Sequence, residues 1–217
     1  GKIMLFYLAP MEGITGYIVR NAYAHYFPYI DKYFTPFIPA TKKMSKKIKR
    51  DLAAENNEQI RLVPQLIGNR ADEFLMMIRL LEELGFTSVN LNFGCPSGTV
   101  VSKRKVAGFL ADPKELEMLL EEVLEKSPLA VSVKTRVGIK DPDEWEALCT
   151  AYAKFPLEEL IIHPRLQIDY YSGTPRMETF ARALEQIHVP LCYNGDICSA
   201  EDYKKVTAAF PAIDRIM

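Results

Sequence analysis

The sequence predicts an α/β protein folded as a closed (β/α)8 TIM barrel of parallel strands. Eight short runs with an apolar residue at every second position are spread along the 217 residues, and this period is typical of strands. Helical patterns lie between the runs, which indicates parallel βαβ units. The GxGxxG turn typical of an open dinucleotide-binding sheet does not occur, so the closed barrel is favoured over the open sheet.

The predicted strands occur at regular intervals. They are Ile3–Ala9, Tyr33–Ile38, Leu62–Ile67, Ser88–Phe93, Ala130–Val137, Leu160–His163, Leu191–Asn194 and Ile213–Met217. In the fourth run, the apolar residues Val89, Leu91 and Phe93 should face one side of the sheet, because side chains alternate along a strand. Asn90 and Asn92 should face the other side.

The helices between the strands are indicated by their apolar faces and by their starts. Residues 71–84 repeat apolar positions at helical spacing, and Gly85 ends that helix. Residues 112–115 (Asp-Pro-Lys-Glu) predict a helix start with an N-cap, a proline at the first position and an acid in the first turn. Residues 141–144 (Asp-Pro-Asp-Glu) predict a second such start, and residues 199–202 predict a third.

Composition indicates an ordinary globular protein, with 48% hydrophobic residues, 25% charged residues and a formal net charge of −1. No apolar run approaches the ~20 residues that span a bilayer, and no signal-peptide pattern is visible. We therefore expect a cytoplasmic protein that does not enter a membrane. The four cysteines and three histidines lack metal-ligand spacing, so reduced thiols and no structural metal are expected.

The eighth predicted strand runs to the last residue, Met217. A barrel of this kind typically has about 250 residues. We therefore expect residues 1–217 to be one catalytic barrel domain that lacks its final loop and helix, as a truncated piece of a longer protein would.

Polar residues recur at the strand ends where barrel enzymes carry their active sites. They lie in the phase expected to face the barrel interior, and they include Gln65, Asn90, Asn92, Lys134, Arg136, His163 and Asn194, with Cys95 in the turn after the fourth strand. A buried amide without a partner costs about 1–3 kcal/mol, so a polar ligand that satisfies these groups is expected. A flavin fits, because a lysine beside its N1 and carbonyl stabilises the reduced ring. The Cys95 thiol would then act on a second substrate.

Six motifs, taken in order, resemble those of tRNA-dihydrouridine synthases. They are LAPMEGITGYIVRNAY, VPQLIGN, NLNFGCPSGTVVSKRKVAGFLADP, VKTRVG, IIHPRLQIDYYSG and YNGDI, and they extend from about Leu8 to Asp196. The resemblance implies an FMN enzyme that uses NADPH to reduce the C5–C6 bond of uridines in tRNA. It implies that Cys95 protonates C5 while the N5 atom of the reduced flavin delivers hydride to C6.

The resemblance also implies roles for individual residues. Eight would contact FMN at its ring, at its polar edges or at its ribityl phosphate: Pro10, Met11, Gln65, Lys134, His163, Asn194, Gly195 and Asp196. Three would contact the substrate: Asn92 and Arg136 would hold the uracil, and Arg165 would reach the tRNA side. Lys103 is expected to contact the substrate because it lies in the basic run just past Cys95. The basic runs 42–50 and 103–105 are expected in loops on the active-site face, where a phosphate backbone would approach.

Two departures from the family pattern stand out. The family's HGRT run reads His163-Pro164-Arg165-Leu166, which puts the substrate contact there in doubt. The Gly-Arg-Gly phosphate loop after the eighth strand, and the C-terminal helical tRNA-binding domain beyond it, are absent from the sequence. The resemblance therefore implies that this chain holds FMN weakly, whereas a full-length, monomeric protein would retain it.

Three other functions stay open at this point. An FMN-dependent barrel oxidoreductase could act on a small molecule, as dihydroorotate dehydrogenases and old yellow enzymes do, but such enzymes lack the basic loop beside the cysteine. A non-catalytic RNA-binding barrel would not need Cys95, Lys134 and His163 together. Acyl transfer by Cys95 needs a base within hydrogen-bond reach, and nothing in the sequence orients His163 toward it.

Overall fold

The structure of the protein is a computed structural model, and it describes residues 2–40, 43–95 and 107–217. Short strands alternate with helices along these residues. The strands are β1 (Leu5–Leu8), β2 (Lys32–Phe34), β3 (Ile38–Pro39), β4 (Leu62–Val63), β5 (Gln65–Ile67), β6 (Ser88–Asn92), β7 (Ala130–Arg136), β8 (Leu160–His163), β9 (Leu191–Tyr193) and β10 (Arg215–Ile216). The helices are α1 (Tyr17–Tyr26), α2 (Lys46–Leu52), α3 (Ala71–Glu83), α4 (Ala107–Ala111), α5 (Pro113–Lys126), α6 (Glu144–Tyr152), α7 (Met177–Gln186) and α8 (Ala200–Ala209).

The strands close into a ring. β2 and β3 are two parts of one strand position, and β4 and β5 are two parts of the next, interrupted at Pro64. β2 pairs with β4 and β3 pairs with β5, while β1 pairs with β2 on one side and with β10 on the other. Every pair is parallel, and the remaining neighbours follow in chain order. The predicted (β/α)8 barrel is therefore confirmed.

Helix starts follow the predicted capping with one exception. The Asp112 carboxylate accepts hydrogen bonds from two N–H groups in the first turn of α5, and the Ser199 hydroxyl caps α8. The start predicted at residues 141–144 is wrong, because α6 begins only at Glu144. The Glu144 carboxylate instead accepts N–H groups of residues 139–141, so it closes the preceding loop.

Residues 46–50 of the basic run after the second strand position lie in helix α2, where a loop was expected. The Ser45 side chain accepts the N–H of Ile48 and caps α2, and Leu52 anchors the end of that helix in the core. Lys42 lies outside the described residues. Within the described part of the chain, no helix is long and apolar enough to cross a bilayer.

Apolar side chains fill the layer between the ring and the helices. Val89, Leu91 and Phe93 are fully buried there, as the alternation along the fourth strand predicts. Burying a side chain of this size contributes about 1.5–3 kcal/mol. A second, smaller cluster fills the barrel interior, and its buried members are Tyr7, Phe34, Val63, Ile161 and Cys192.

An ionic network closes the amino-terminal end of the barrel interior. Glu159, 1% exposed, accepts a hydrogen bond of 2.5 Å from the Tyr7 hydroxyl and one of 2.8 Å from Arg215 Nη1. Lys32 Nζ lies 3.1 Å from its other oxygen. Burial, reinforced by the Glu159 carboxylate, raises the pKa of Tyr7, so the hydroxyl keeps its proton and remains a donor. The network joins β1, β2 and β10 to the start of β8.

Replacing Glu159 by alanine should destabilise the barrel, because it leaves Lys32 buried without its carboxylate. Removal of one partner of a buried ion pair typically costs about 3–5 kcal/mol. We expect that loss in the free energy of unfolding, measured by urea titration. The control is Glu121→Ala on the exposed face of α5, for which a change within about 0.5 kcal/mol is expected. Similar losses for the two variants would contradict this account of the network.

Candidate active site

A cavity of about 560 Å³ opens at the carboxyl ends of the strands, within the usual size range of small-ligand sites. The predicted site residues that line it are Pro10, Met11, Gln65, Asn92, Cys95, Lys134, Arg136, His163, Asn194, Gly195 and Asp196. Arg165 does not line the cavity, and Lys103 lies outside the described residues, as does the rest of the 103–105 basic run.

The amides at the cavity floor bond to one another. Gln65 Nε2 donates to Asn90 Oδ1 over 2.9 Å, and Asn92 Nδ2 donates to Gln65 Oε1 over 3.0 Å. Asn90 Nδ2 in turn donates to Ser132 Oγ over 2.9 Å. The expectation that these amides need a ligand to satisfy them is therefore wrong. The bonds instead fix which end of each amide faces its neighbour.

Asn92 also holds the turn that carries Cys95. Its Oδ1 atom accepts the N–H groups of Gly94 and Cys95, each over 3.0 Å. The turn presses against β7, where a Cβ on Gly94 would lie 2.8 Å from the backbone nitrogen of Arg136. Glycine is required there by this close approach. The half-buried Cys95 is thus positioned at the cavity wall by a capped and tightly packed turn.

Two cationic residues of β7 face the cavity. The Arg136 guanidinium donates to the carbonyl oxygen of Leu166 over 2.9 Å and lies 5.2 Å from the centre of the Tyr171 ring. The Lys134 ammonium forms no ion pair or hydrogen bond with any residue that the structure describes. Burial, with the nearby Arg136 charge, lowers the pKa of Lys134 to about 8. A half-buried cation without a counter-ion is unfavourable, so this end of the cavity favours an anionic or electron-rich ligand.

His163 is held neutral at the end of β8. It is 7% exposed, and burial, followed by repulsion from the Arg136, Arg165 and Lys134 cations, lowers its pKa to about 3. At physiological pH the imidazole is therefore uncharged. One ring nitrogen, Nε2, lies 2.8 Å from Arg165 Nη1.

Arg165 lies beneath the cavity. Its side chain is 1% exposed and forms a bidentate ion pair with the Asp196 carboxylate. The Arg165 hydrogen bond is the main cause of a lowered Asp196 pKa. This placement contradicts the prediction that Arg165 reaches the tRNA, because the guanidinium is already engaged inside the protein. The His-Pro-Arg run singled out Arg165 as a candidate site residue, but it did not indicate that the guanidinium turns into the protein.

The cavity also has an apolar and aromatic wall, which includes two residues, Ile14 and Phe37, that the sequence did not indicate as part of the site. Ile14, Phe37, Tyr170 and Tyr171 line it. The Tyr171 ring centre lies 6.1 Å from that of His163. Ile14 belongs to a motif quoted above, so a wider use of that motif could have found it. Phe37, between β2 and β3, belongs to none of the quoted motifs.

Comparison with known proteins gives the family. Residues 7–217 match the family model described as dihydrouridine synthase (Dus). The chain belongs to the dihydrouridine synthase family. The predicted resemblance is therefore confirmed, and residues of the family motifs line the cavity.

Curated relatives of this chain are longer than the chain itself. A tRNA-dihydrouridine(16) synthase of Pseudomonas putida is 31% identical over 91% of the chain and 64% of its own length. A probable tRNA-dihydrouridine synthase 2 of Bacillus subtilis is 30% identical over 98% of the chain and 67% of its own length. The chain spans 60% of the tRNA-dihydrouridine synthase B of Pasteurella multocida, at 28% identity over 92% of the chain.

Solved structures agree with the barrel fold of this chain. The old yellow enzyme homologue of Zymomonas mobilis superposes with a TM-score of 0.68 at 10% identity, covering 100% of this chain and 83% of that one. A morphinone reductase gives a TM-score of 0.64 at 10% identity, covering 98% of this chain and 82% of that one. At such low identity these matches show the fold alone.

Substituting Gly94 by alanine should force the cysteine turn away from β7. The new Cβ would meet backbone atoms, which cannot move as a side chain can, and overpacking of this kind costs about 1–3 kcal/mol. We expect that loss in the free energy of unfolding by urea titration. The matched control is Gly195→Ala, whose Cβ would meet its nearest neighbours at 3.5 Å. Equal effects of the two substitutions would show that the close approach at Gly94 is not the constraint.

Because of Lys134, the free energy of unfolding of the ligand-free protein should change with pH in the alkaline range. Between about pH 8 and the ordinary lysine pKa of 10.5, the unfolded chain binds a proton that the folded chain does not. The free energy of unfolding therefore rises with pH in this window. Lys134→Met removes the effect, so its stability relative to wild type should be greater at pH 7 than at pH 10 by about 1–3 kcal/mol.

The control for this pH prediction is Lys204→Met, on the exposed face of α8, measured by urea unfolding at the same two pH values. If the Lys134 and Lys204 variants differed from wild type in the same way at both pH values, the uncompensated charge of Lys134 would be refuted.

Proposed function

We propose that this chain is the FMN-binding catalytic barrel of a tRNA-dihydrouridine synthase that uses NADPH to reduce the C5–C6 bond of a tRNA uridine. The observation that carries the proposal is that Cys95, Lys134 and His163 share one cavity in a chain of the dihydrouridine synthase family. The names of the curated relatives support tRNA as the substrate. A cytoplasmic location and a monomeric full-length protein belong to the same proposal.

The residues of the cavity fit FMN. Its hydrogen-bond donors are the Lys134 ammonium, the Arg136 guanidinium and a neutral His163, which complement the carbonyls and ring nitrogens of a flavin edge. The Asp196 carboxylate is neutralised by Arg165, so it does not oppose an anionic ligand. Pro10, Met11, Asn194 and Gly195 would complete the binding surface. When bound, FMN would supply the hydride chemistry that no side chain can perform.

The protein's own groups would bind, orient and protonate. Gln65 presents a fixed amide, because Asn90 and Asn92 hold it from both sides. Lys134 would stabilise negative charge on an electron-rich ligand, since its ammonium has no counter-ion among the described residues. Cys95 Sγ would carry the proton that uracil C5 receives, and the capped turn would hold this sulfur in place. Arg136, on the same face of β7, would bind the uracil.

The experiment that tests the proposal uses the full-length protein. An absorbance scan is followed by an anaerobic NADPH pulse and then by unmodified tRNA. Flavin bands that bleach with NADPH and return with tRNA would support the proposal. Reoxidation by a small-molecule acceptor alone would make the protein a different flavin oxidoreductase, and the absence of any flavin would overturn the proposal.

Replacement of Cys95 by alanine should slow the tRNA-dependent return of the flavin bands by at least about 100-fold, the usual size of a general-acid contribution. The bleaching by NADPH should keep its rate, because that step does not need the thiol. Stopped-flow absorbance measures both steps, and Cys198→Ala, an exposed cysteine of the loop after β9, is the control. Reoxidation of the Cys95 variant at the wild-type rate would exclude this proton donor.

A further inference from the structure

We propose that Arg165 is a positioning residue that fixes the tautomer of His163. In this arrangement His163 Nε2 accepts a hydrogen bond from Arg165, and the ring proton is on Nδ1, where it is available to a ligand in the cavity. This role replaces the substrate contact that the sequence suggested for Arg165.

The hydrogen bonds of Arg165 carry the first step of the argument. Arginine has five N–H donors and no acceptor, and all five have partners. Nε donates to the carbonyl oxygen of Ser172 over 3.2 Å, and Nη2 donates over 2.6 Å to that of Gly173 and also to Asp196 Oδ2. Nη1 donates to Asp196 Oδ1 over 3.0 Å, and its second hydrogen remains for His163 Nε2 at 2.8 Å.

The second step concerns the imidazole. A proton on Nε2 would point at an N–H of Arg165, so the 2.8 Å contact requires that Nε2 be the acceptor. Repulsion from Arg165, Arg136 and Lys134 also opposes a second proton on the ring. The neutral ring therefore carries its one proton on Nδ1.

The third step is that Nδ1 opens toward the cavity. Within the described residues this atom has no hydrogen-bond partner. It is nevertheless not one of the fully buried polar atoms without a partner, so Nδ1 is at least partly accessible. His163 lines the cavity, so Nδ1–H is a donor directed at its contents. The tautomer stands independently of the proposed function, but naming FMN as the acceptor of this hydrogen bond rests on it.

The two loops that bind the Arg165 guanidinium contain residues with left-handed backbone conformations. Tyr170 and Asp196 adopt φ angles of 51° and 52°, and Gly173 one of 73°. Left-handed φ values are unfavourable for residues other than glycine. These conformations lie in the two loops that supply the Gly173 carbonyl and the Asp196 carboxylate, so the bonds to Arg165 offset the strain.

The test is a long-range ¹H–¹⁵N correlation spectrum of the full chain labelled at histidine nitrogen, recorded at pH 7 without ligand. Only three histidines are present, and His163→Gln assigns the signals. We expect His163 Nδ1 with the shift of a protonated nitrogen and Nε2 with that of an unprotonated one. The reverse pattern would overturn the proposal with no other variant needed.

Two substitutions at Arg165 separate positioning from simple packing. Arg165→Lys keeps a donor near Nε2, so the Nδ1–H tautomer should persist. Arg165→Met removes every donor and leaves the Asp196 carboxylate as an acceptor, so the proton should move to Nε2. If a folded Arg165→Met variant kept the proton on Nδ1, the proposal would fail. If that variant did not fold, the wild-type spectrum and Asp196→Asn, which should retain Nδ1–H, would decide.

An FMN titration of the same variants distinguishes this inference from the proposed function. Arg165→Met should bind FMN about tenfold more weakly than Arg165→Lys, since one ligand-directed N–H is lost, roughly the value of one hydrogen bond. An Nδ1–H tautomer in a full-length wild-type protein that binds no FMN would leave the inference standing and refute the function. FMN binding by a protein that carries the Nε2–H tautomer would refute the inference and leave the proposed function standing.

Discussion

Closure of the parallel ring determines which side chains share the interior of this protein. Once β2 and β3 pair with β4 and β5, alternate residues of every strand must enter one narrow space, and the phase of each strand cannot slip. Polar and charged groups of different strands are then brought within hydrogen-bond distance although they lie up to about 200 residues apart, as Tyr7 and Arg215 do on either side of Glu159. The site at the opposite end of the barrel depends on the same closure.

Charged side chains are compensated by opposite charges at one end of the barrel interior but not at the other. At the amino-terminal end, Lys32 and Arg215 share the Glu159 carboxylate, so the charges satisfy one another. At the carboxyl-terminal end, Lys134 has no such counter-ion among the described residues, and its lowered pKa reflects that cost. The difference separates a structural network, in which the charges compensate one another, from the cavity, where the proposed ligand would compensate Lys134.

Directed hydrogen bonds fix the orientation of groups at the cavity. The Gln65 and Asn92 amides are oriented by each other, and Asn92 passes that order to the Cys95 turn through two backbone N–H groups. Arg165 orders the His163 ring in the same way from below. In each case a buried neighbour sets the direction of a cavity group, which leaves a ligand little rearrangement to impose.

By itself, the sequence determined the alternation of strands and helices, the inward phase of each strand and the family, because period, capping residues and motif order are local properties. Even so, the predicted start of α6 was wrong by a few residues, because the Glu144 carboxylate accepts hydrogen bonds from the preceding loop. Only the tertiary structure showed that the amides of Gln65, Asn90 and Asn92 satisfy one another and that Arg165 turns inward to Asp196. Those outcomes depend on which strands become neighbours and on the distances between their side chains. Neither of these is encoded in the spacing of residues along the chain.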